Sequence, residues 1–338
     1  MARRTVYNNI VTDEKLMMVN PKNIELTNDF LDYLASVDRS PKTIYQYSND
    51  LNIFFVWNLE NNENKFFVDL KKRDIVRFQK FVMYEYCWSP ARVKRVKSVL
   101  SSLSNYIENF LDDEFEDFRP IIRKVESPVN EKVREKTVMS DEDVHKLLDT
   151  LTEEGKYEQA CAVAIATYSG MRKSELLQMR INYFDDNHII MDGAMYQTEE
   201  IRTKGRGKQG KRMKKYVLIA AKPYIDRWLE ERKRLGVKIW DLFVTRDANK
   251  KWQKRKSIDH WTNYFSEIIG TDFYWHSLRH YLASKFDSMN IPAEVTREFN
   301  GWANVSMVSY YNDNEVSDTF GKYFTKDGIV KQDKGSLG

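Results

Sequence analysis

Between residues 275 and 311 the sequence WHSLRHYLASKFDSMNIPAEVTREFNGWANVSMVSYY gathers side chains suited to phosphate chemistry. His276, Arg279 and His280 stand at i, i+3 and i+4 and so share one face of a helix. Gly301 and Trp302 follow, and the stretch closes on Tyr310 and Tyr311. Imidazole can move a proton, guanidinium can grip a phosphate, indole donates one hydrogen bond, and a phenol can attack. Much earlier, Arg172 in SGMRKSELLQM starts a helix, with Glu175 one turn on.

Attack of a phenol on a phosphodiester sets definite requirements. Tyrosine ionises near pH 10, so a base or a local positive field must help remove its proton. The crowded anionic transition state needs donors on its non-bridging oxygens, a role suited to the bidentate, permanently charged arginine. The departing 5′-oxygen needs a proton, which a lysine supplies when neighbouring cations lower its pKa. Two arginines, a histidine, a hairpin lysine and a tyrosine therefore complete a phosphoryl-transfer site that calls for neither metal nor cofactor.

The elements that must position these groups can be read along the chain. At 338 residues there is room for two domains, and 42% hydrophobic with 13% aromatic residues implies folded cores. No apolar run approaches a membrane span and no secretory signal opens the chain, so a cytoplasmic protein is expected. Cys87 and Cys161 are the only cysteines, which excludes a disulfide framework and fits a reducing compartment. The net charge of +4 says little, but residues 202–215, RTKGRGKQGKRMKK, hold eight basic residues and no acid. A polyanionic partner fits that asymmetry.

Residues 1–23 lack periodicity and are expected to form a flexible arm. A helical domain is expected over residues 24–119. Within it Ser40 and Pro41 restart a helix, followed by Lys42. Ser89 and Pro90 start another, in which Arg92, Lys94, Arg95 and Lys97 alternate with Val93, Val96, Val99 and Leu100. Lys42 and these four basic residues are candidate phosphate contacts. Residues 120–138, with two prolines and many charges, read as a linker. A second domain is expected over 139–325 and a tail over 326–338. It opens on a capping box at Ser140 and Asp143 and continues in a buried helix over 157–168. Strands follow over 188–191, 196–203 and 215–219, the last two joined by the basic turn. Helices are expected over 223–235, 257–269, 276–288, 292–299, 304–311 and 316–324.

Arg172, a lysine in the basic hairpin, His276 and Arg279 in HSLRHYLAS, Gly301 with Trp302, and Tyr311 nine positions later resemble, in that order, the signature of the tyrosine recombinases, or phage-type integrases. The segment SPKTIYQYSNDLNIFF is also similar to the start of that family's core-binding domain. The resemblance implies a mainly α fold with a small β-sheet. A helical, SAM-like core-binding domain and an α+β catalytic domain would form a clamp around DNA. It implies that Arg172 and Arg279 bind the scissile phosphate, that His276 is the general acid/base, and that Glu175 supports the site from behind. Trp302 stands where most members have histidine and a minority tryptophan, and an indole cannot accept a proton. Lys204, at the end of the second strand, is the implied catalytic lysine, with Lys208 and Lys211 near enough to compete. Arg206, Lys208 and Lys211 are further DNA-contact candidates.

Tyr310 and Tyr311 differ by about 100° around a helix, so only one can face the phosphate. Spacing from Trp302 favours Tyr311 as the nucleophile, leaving Tyr310 packed and His280 structural. The implied product is a 3′-phosphotyrosyl link with a free 5′-hydroxyl, formed without ATP. The implied partner is double-stranded DNA carrying specific recombination sites. Four copies of the chain would act on two duplexes through a Holliday junction, with the helix beyond Tyr311 docking on a neighbour. Two other readings keep the same residues and assign them a different activity, either a DNA-binding regulator on the same fold or a type IB topoisomerase.

Overall fold

The computed structural model describes residues 10–129, 139–203, 205, 210–311, 324–325 and 328–329. The chain divides into two compact units, with the boundary near residue 135.

Among the described residues the first unit is built of helices: α1 (Asp13–Met18), α2 (Pro21–Ser36), α3 (Pro41–Asn61), α4 (Lys72–Tyr84) and α5 (Pro90–Phe110). Three of these starts follow one rule, a polar N-cap followed by proline at the first helical position: Asn20 before Pro21, Ser40 before Pro41, Ser89 before Pro90. The core is aromatic. Phe54 meets Phe78 edge to face at 5.0 Å, and Trp57 meets Phe78 at 5.1 Å.

Two boundaries differ from the sequence expectation. The arm expected over residues 1–23 already belongs to the fold from residue 10. Ile10, Val11 and Val19 are buried in the first core, and Asn64 ties them down by accepting from the Asn20 amide and donating to the Met18 carbonyl. Helix α1 is only six residues long, too short to show a period in the sequence. The linker expected over 120–138 is likewise part of the first unit at its start. Ile122 and Val125 are buried, and Lys97 donates to the Val125 and Glu126 carbonyls at 2.7 and 3.2 Å and to Ser127 Oγ at 3.1 Å.

The second unit opens on the expected capping box, Ser140 and Asp143 exchanging bonds at the start of α6 (Asp141–Glu153). Helix α7 (Tyr157–Ser169) runs through the centre, with Ala160–Ala166 wholly buried in the second core. After the four-residue α8 (Lys173–Leu176) come β1 (Ile189–Ile190), β2 (Met195–Gln197), β3 (Ile201–Thr203), β4 (Lys211–Met213) and β5 (Tyr216–Leu218). Strands β1, β2 and β5 form an antiparallel sheet, while β3 and β4 form a separate antiparallel hairpin.

The separation has a local cause. Thr198 pairs with Lys215 through both its amide and its hydroxyl, and Ile201 pairs with Met213. Glu199 and Glu200 therefore oppose Lys214 alone, a bulge that breaks one expected long strand in two.

Helix α9 (Lys222–Arg234) follows, then a hairpin of β6 (Val244–Arg246) and β7 (Trp252–Lys254) that the charged sequence did not signal. Helices α10 (Thr262–Ile269), α11 (Trp275–Ser288), α12 (Ala293–Asn300) and α13 (Ser306–Tyr311) follow. The helix expected over 316–324 lies outside the described residues except for Phe324. That residue starts a two-residue strand, β8 (Phe324–Thr325), paired with β9 (Gly328–Ile329).

Candidate active site

Helix α7 ends at Gly170, whose φ of 58° places it in the left-handed region. A Cβ there would lie 2.5 Å from Asn300 Oδ1, so space as well as backbone conformation demands glycine. The chain then passes through buried Met171 to Arg172. Sequence spacing placed Arg172 inside a first helical turn; it is in fact the extended N-cap of α8, with φ −70° and ψ 150°. Glu175 closes around it, accepting from the Arg172 amide at 3.1 Å and from Nη1 at 2.9 Å. The arginine side chain is 27% exposed and the glutamate 1%, so the carboxylate supports the guanidinium from within. Burial opposes ionisation of Glu175, but the Lys215 charge, the Arg172 amide and the Arg172 charge outweigh it and hold the carboxyl below its ordinary value.

Arg279 comes from α11 and is fully buried. Its Nη1 donates to the Gly170 carbonyl at 2.6 Å and its Nη2 to the Asn300 carbonyl at 3.0 Å. Its guanidinium also lies 5.1 Å from the centre of the Trp302 ring, a cation–π distance. The ends of α7 and α12 are thus joined by one side chain.

Lys215 enters the same space from the strand side. Its Nζ is 3.2 Å from Glu175 Oε2 and 3.4 Å from the Asn300 carbonyl. Burial lowers its pKa most, Glu175 resists, and the charges of Arg279 and Arg172 lower it further. Gly301, with φ 67°, lies directly above: a Cβ there would sit 2.5 Å from Met213 Cε and 3.2 Å from Lys215 Nζ. Met213 and Lys215, two apart on the chain, face the same side.

His276 is half-buried one turn before Arg279, and its ring meets that of buried His280 edge to face at 5.4 Å. Trp302 is buried against Ala283 of α11 and Val308 of α13, with Val305 and Met307 around it. Helix α13, which ends on Tyr311, has only six residues. A helix this short has no independent stability, so its seat on Trp302 sets its position. Burial of each large apolar side chain in that seat stabilises it by roughly 1.5–3 kcal/mol.

In the basic hairpin, Lys204, Arg206 and Lys208 lie outside the described residues; Lys211 is exposed at the start of β4. The strand leading to Lys204 is tied to the α8 region. Gln178 accepts from the Arg202 amide at 3.1 Å and donates to the Arg202 carbonyl at 2.8 Å.

The candidate contacts in the first unit divide by exposure. Lys42 and Lys94 are exposed. Arg92 and Arg95 both reach buried Asp50, at 2.8 and 3.1 Å, which orients two partly exposed guanidiniums on one face of α5. Lys97 is a correction: it is 5% exposed and its ammonium is spent on the carbonyls after α5, not offered to a phosphate. Burial lowers its pKa.

Sequence reasoning therefore brought Arg172, Glu175, Arg279 and Trp302 into one cluster, with His276 on the adjoining turn of α11. It missed Lys215 and Asn300. The only signal for Lys215 was its place two residues from Met213 and from Val217, on a strand whose inward face it shares.

Residues 137–317 match the family model described as the phage integrase family. The SPbeta prophage-derived recombinase-like protein YomM of Bacillus subtilis (strain 168) is 28% identical over 266 residues, 78% of this chain and 76% of that protein. A tyrosine recombinase of Thermosipho africanus (strain TCF52B) is 24% identical over 288 residues, 83% of this chain and 92% of that protein. Among solved structures, a lambda integrase tetramer bound to a Holliday junction is similar with a TM-score of 0.61 and 15% identity, covering 86% of this chain and 76% of that one.

Proposed function

Because this chain belongs to the phage integrase family, the tyrosine recombinases, we propose that it cleaves and rejoins DNA at specific sites with Tyr311 as nucleophile. The observation that carries the reading is the convergence of Arg172 and Arg279 at the joined ends of α7 and α12, beside the short helix that ends on Tyr311. Together these two guanidiniums grip the non-bridging oxygens of one phosphate and stabilise the charge that grows there. Two of the five N–H groups of Arg279 hold carbonyls, so it is oriented before DNA arrives.

Tyr311 attacks phosphorus, a 3′-phosphotyrosyl bond forms, and the bond to the 5′-oxygen breaks. His276 moves the proton of the attacking phenol, and Lys204 delivers a proton to the departing 5′-oxygen. Trp302 holds α13 and the face of Arg279 and takes no part in proton transfer. Attack of the free 5′-hydroxyl of a partner strand reverses the step, so the bond energy is kept and no ATP is consumed. Four chains on two duplexes exchange strands in two rounds through a Holliday junction, with the segment beyond Tyr311 docking on a neighbour. Lys42, Lys94, Arg92 and Arg95 contact backbone phosphates from the first unit, and Arg206, Lys208 and Lys211 from the hairpin.

The test is a suicide duplex nicked near the cleavage point. The parent chain should become covalently linked to the 3′ end, and Tyr311→Phe should bind the duplex without forming the link. A parent chain that binds but forms no adduct would refute the reading in favour of a DNA-binding regulator.

A further inference from the structure

The cluster holds one more cation than phosphate binding by two arginines requires. Lys215 is 3% exposed as a side chain, and Glu175, 1% exposed, is shared between it and Arg172. The geometry of sharing is specific. Glu175 Oε1 accepts from Arg172 Nη1, while Oε2 accepts from the Arg172 amide and lies 3.2 Å from Lys215 Nζ. Lys215 is itself fixed on its far side by the Asn300 carbonyl and covered by Gly301.

We propose that Lys215 is a positioning residue for cleavage: by occupying Oε2 of Glu175 it limits Arg172 to a single side-chain bond with that carboxylate and leaves the rest of the guanidinium turned toward the phosphate. A carboxylate and a guanidinium prefer two parallel bonds. With Lys215 absent, Oε2 is free to recruit a second Arg172 N–H, and burial strengthens that pull. The guanidinium then rotates off the phosphate. The strand delivers this lysine by simple alternation, with Met213, Lys215 and buried Val217 two residues apart on one face. Charge counting agrees. Arg172, Arg279 and Lys215 against Glu175 leave a surplus of two positive charges, enough to meet an incoming phosphodiester and the further charge of its transition state.

This assignment uses the proposed cleavage reaction for its kinetic readout. Single-turnover cleavage of the suicide duplex by the full chain is compared with DNA affinity measured in the Tyr311→Phe background. Lys215→Met should cut the rate at saturating DNA by about 100-fold, the usual cost of a small misplacement of a catalytic group, while Kd stays within about threefold. In a Glu175→Gln background, which has no carboxylate to capture Arg172, adding Lys215→Met should change the rate by no more than about threefold.

Equal losses in both backgrounds would overturn the proposal, because Lys215 would then act on the phosphate without Glu175. So would a folded Lys215→Met chain that cleaves like the parent. A crystal structure of the double variant and of Lys215→Met reads the same point without catalysis. Arg172 should hold Glu175 with two side-chain bonds in the single variant only, and an unmoved Arg172 refutes the inference. A parent chain that forms no adduct would instead refute the tyrosine chemistry, and the structures would still decide the role of Lys215.

Discussion

Gly170→Ala offers the sharpest check on how the two helix ends are joined. Two separate costs are built into the site. The first is conformational: φ of 58° is open to glycine but costs an L-residue about 1 kcal/mol or somewhat more. The second is steric: the new Cβ would stand 2.5 Å from Asn300 Oδ1 and 3.3 Å from Leu282 Cδ2. Asn300 is buried and its Nδ2 is held by the Thr296 carbonyl, so the amide cannot swing aside freely. Overpacking of that kind costs roughly 1–3 kcal/mol, which brings the sum to about 2–4 kcal/mol.

The two costs separate in a double-mutant cycle with Asn300→Ala. Removing the amide takes away the clash but not the backbone cost, so Gly170→Ala should cost only about 1 kcal/mol in that background, a coupling of about 1–3 kcal/mol. The assay is urea unfolding of the full chain. With two units, two transitions are expected, and only that of the second unit should move. Additivity of the two substitutions within about 0.5 kcal/mol would refute the close approach of Gly170 and Asn300.

Glu175→Gln should destabilise the second unit by about 3 kcal/mol at neutral pH, because it strands a buried lysine. The folded pKa of Glu175 lies below its ordinary value, so its contribution is complete above the ordinary value and is lost as pH falls through the folded one; the gap between parent and variant melting curves should narrow only in acid, and a gap that widened there would contradict the sign. In the first unit, Lys94→Ala should reduce the slope of log affinity for DNA against log salt by about one. Lys97→Met should leave that slope unchanged while costing about 1–3 kcal/mol of stability from its stranded acceptors, a contrast that an equal salt effect would erase.

Much of this molecule was legible because its chemistry is local in sequence. His276 and Arg279 sit one helical turn apart, and the Gly301–Trp302 step marks a helix end whose φ of 67° favours glycine. The proline-started helices of the first unit were equally plain, since each carries its own cap.

What escaped depends on contacts between distant segments. Lys215 is buried because Glu175, Asn300 and Gly301 close around it from segments remote in sequence, and no property of the string KRMKKYVLI announces them. Helix α1 was invisible because six residues hold less than two turns. Lys97 is a different kind of miss. It falls at the fourth position after Val93 and the third before Leu100, on the apolar face of α5, where an exposed lysine had no place to stand. Its position on the helix carried the answer, and the residue type drew attention away from it.

The carbonyls that hold Arg279 share a property with electrostatic consequences. Gly170 closes α7 and Asn300 is the last residue of α12, so each is the carboxyl end of a helix. The aligned peptide dipoles of a helix place about half a negative charge at that end. Two such ends converging on one guanidinium stabilise its buried charge with backbone that no change of pH can neutralise. The buried cation is thereby solvated by main chain, and it keeps its full formal charge for a phosphate. Both helix ends are shaped by left-handed glycines, so the electrostatics of this arginine are written into two residues that have no side chain.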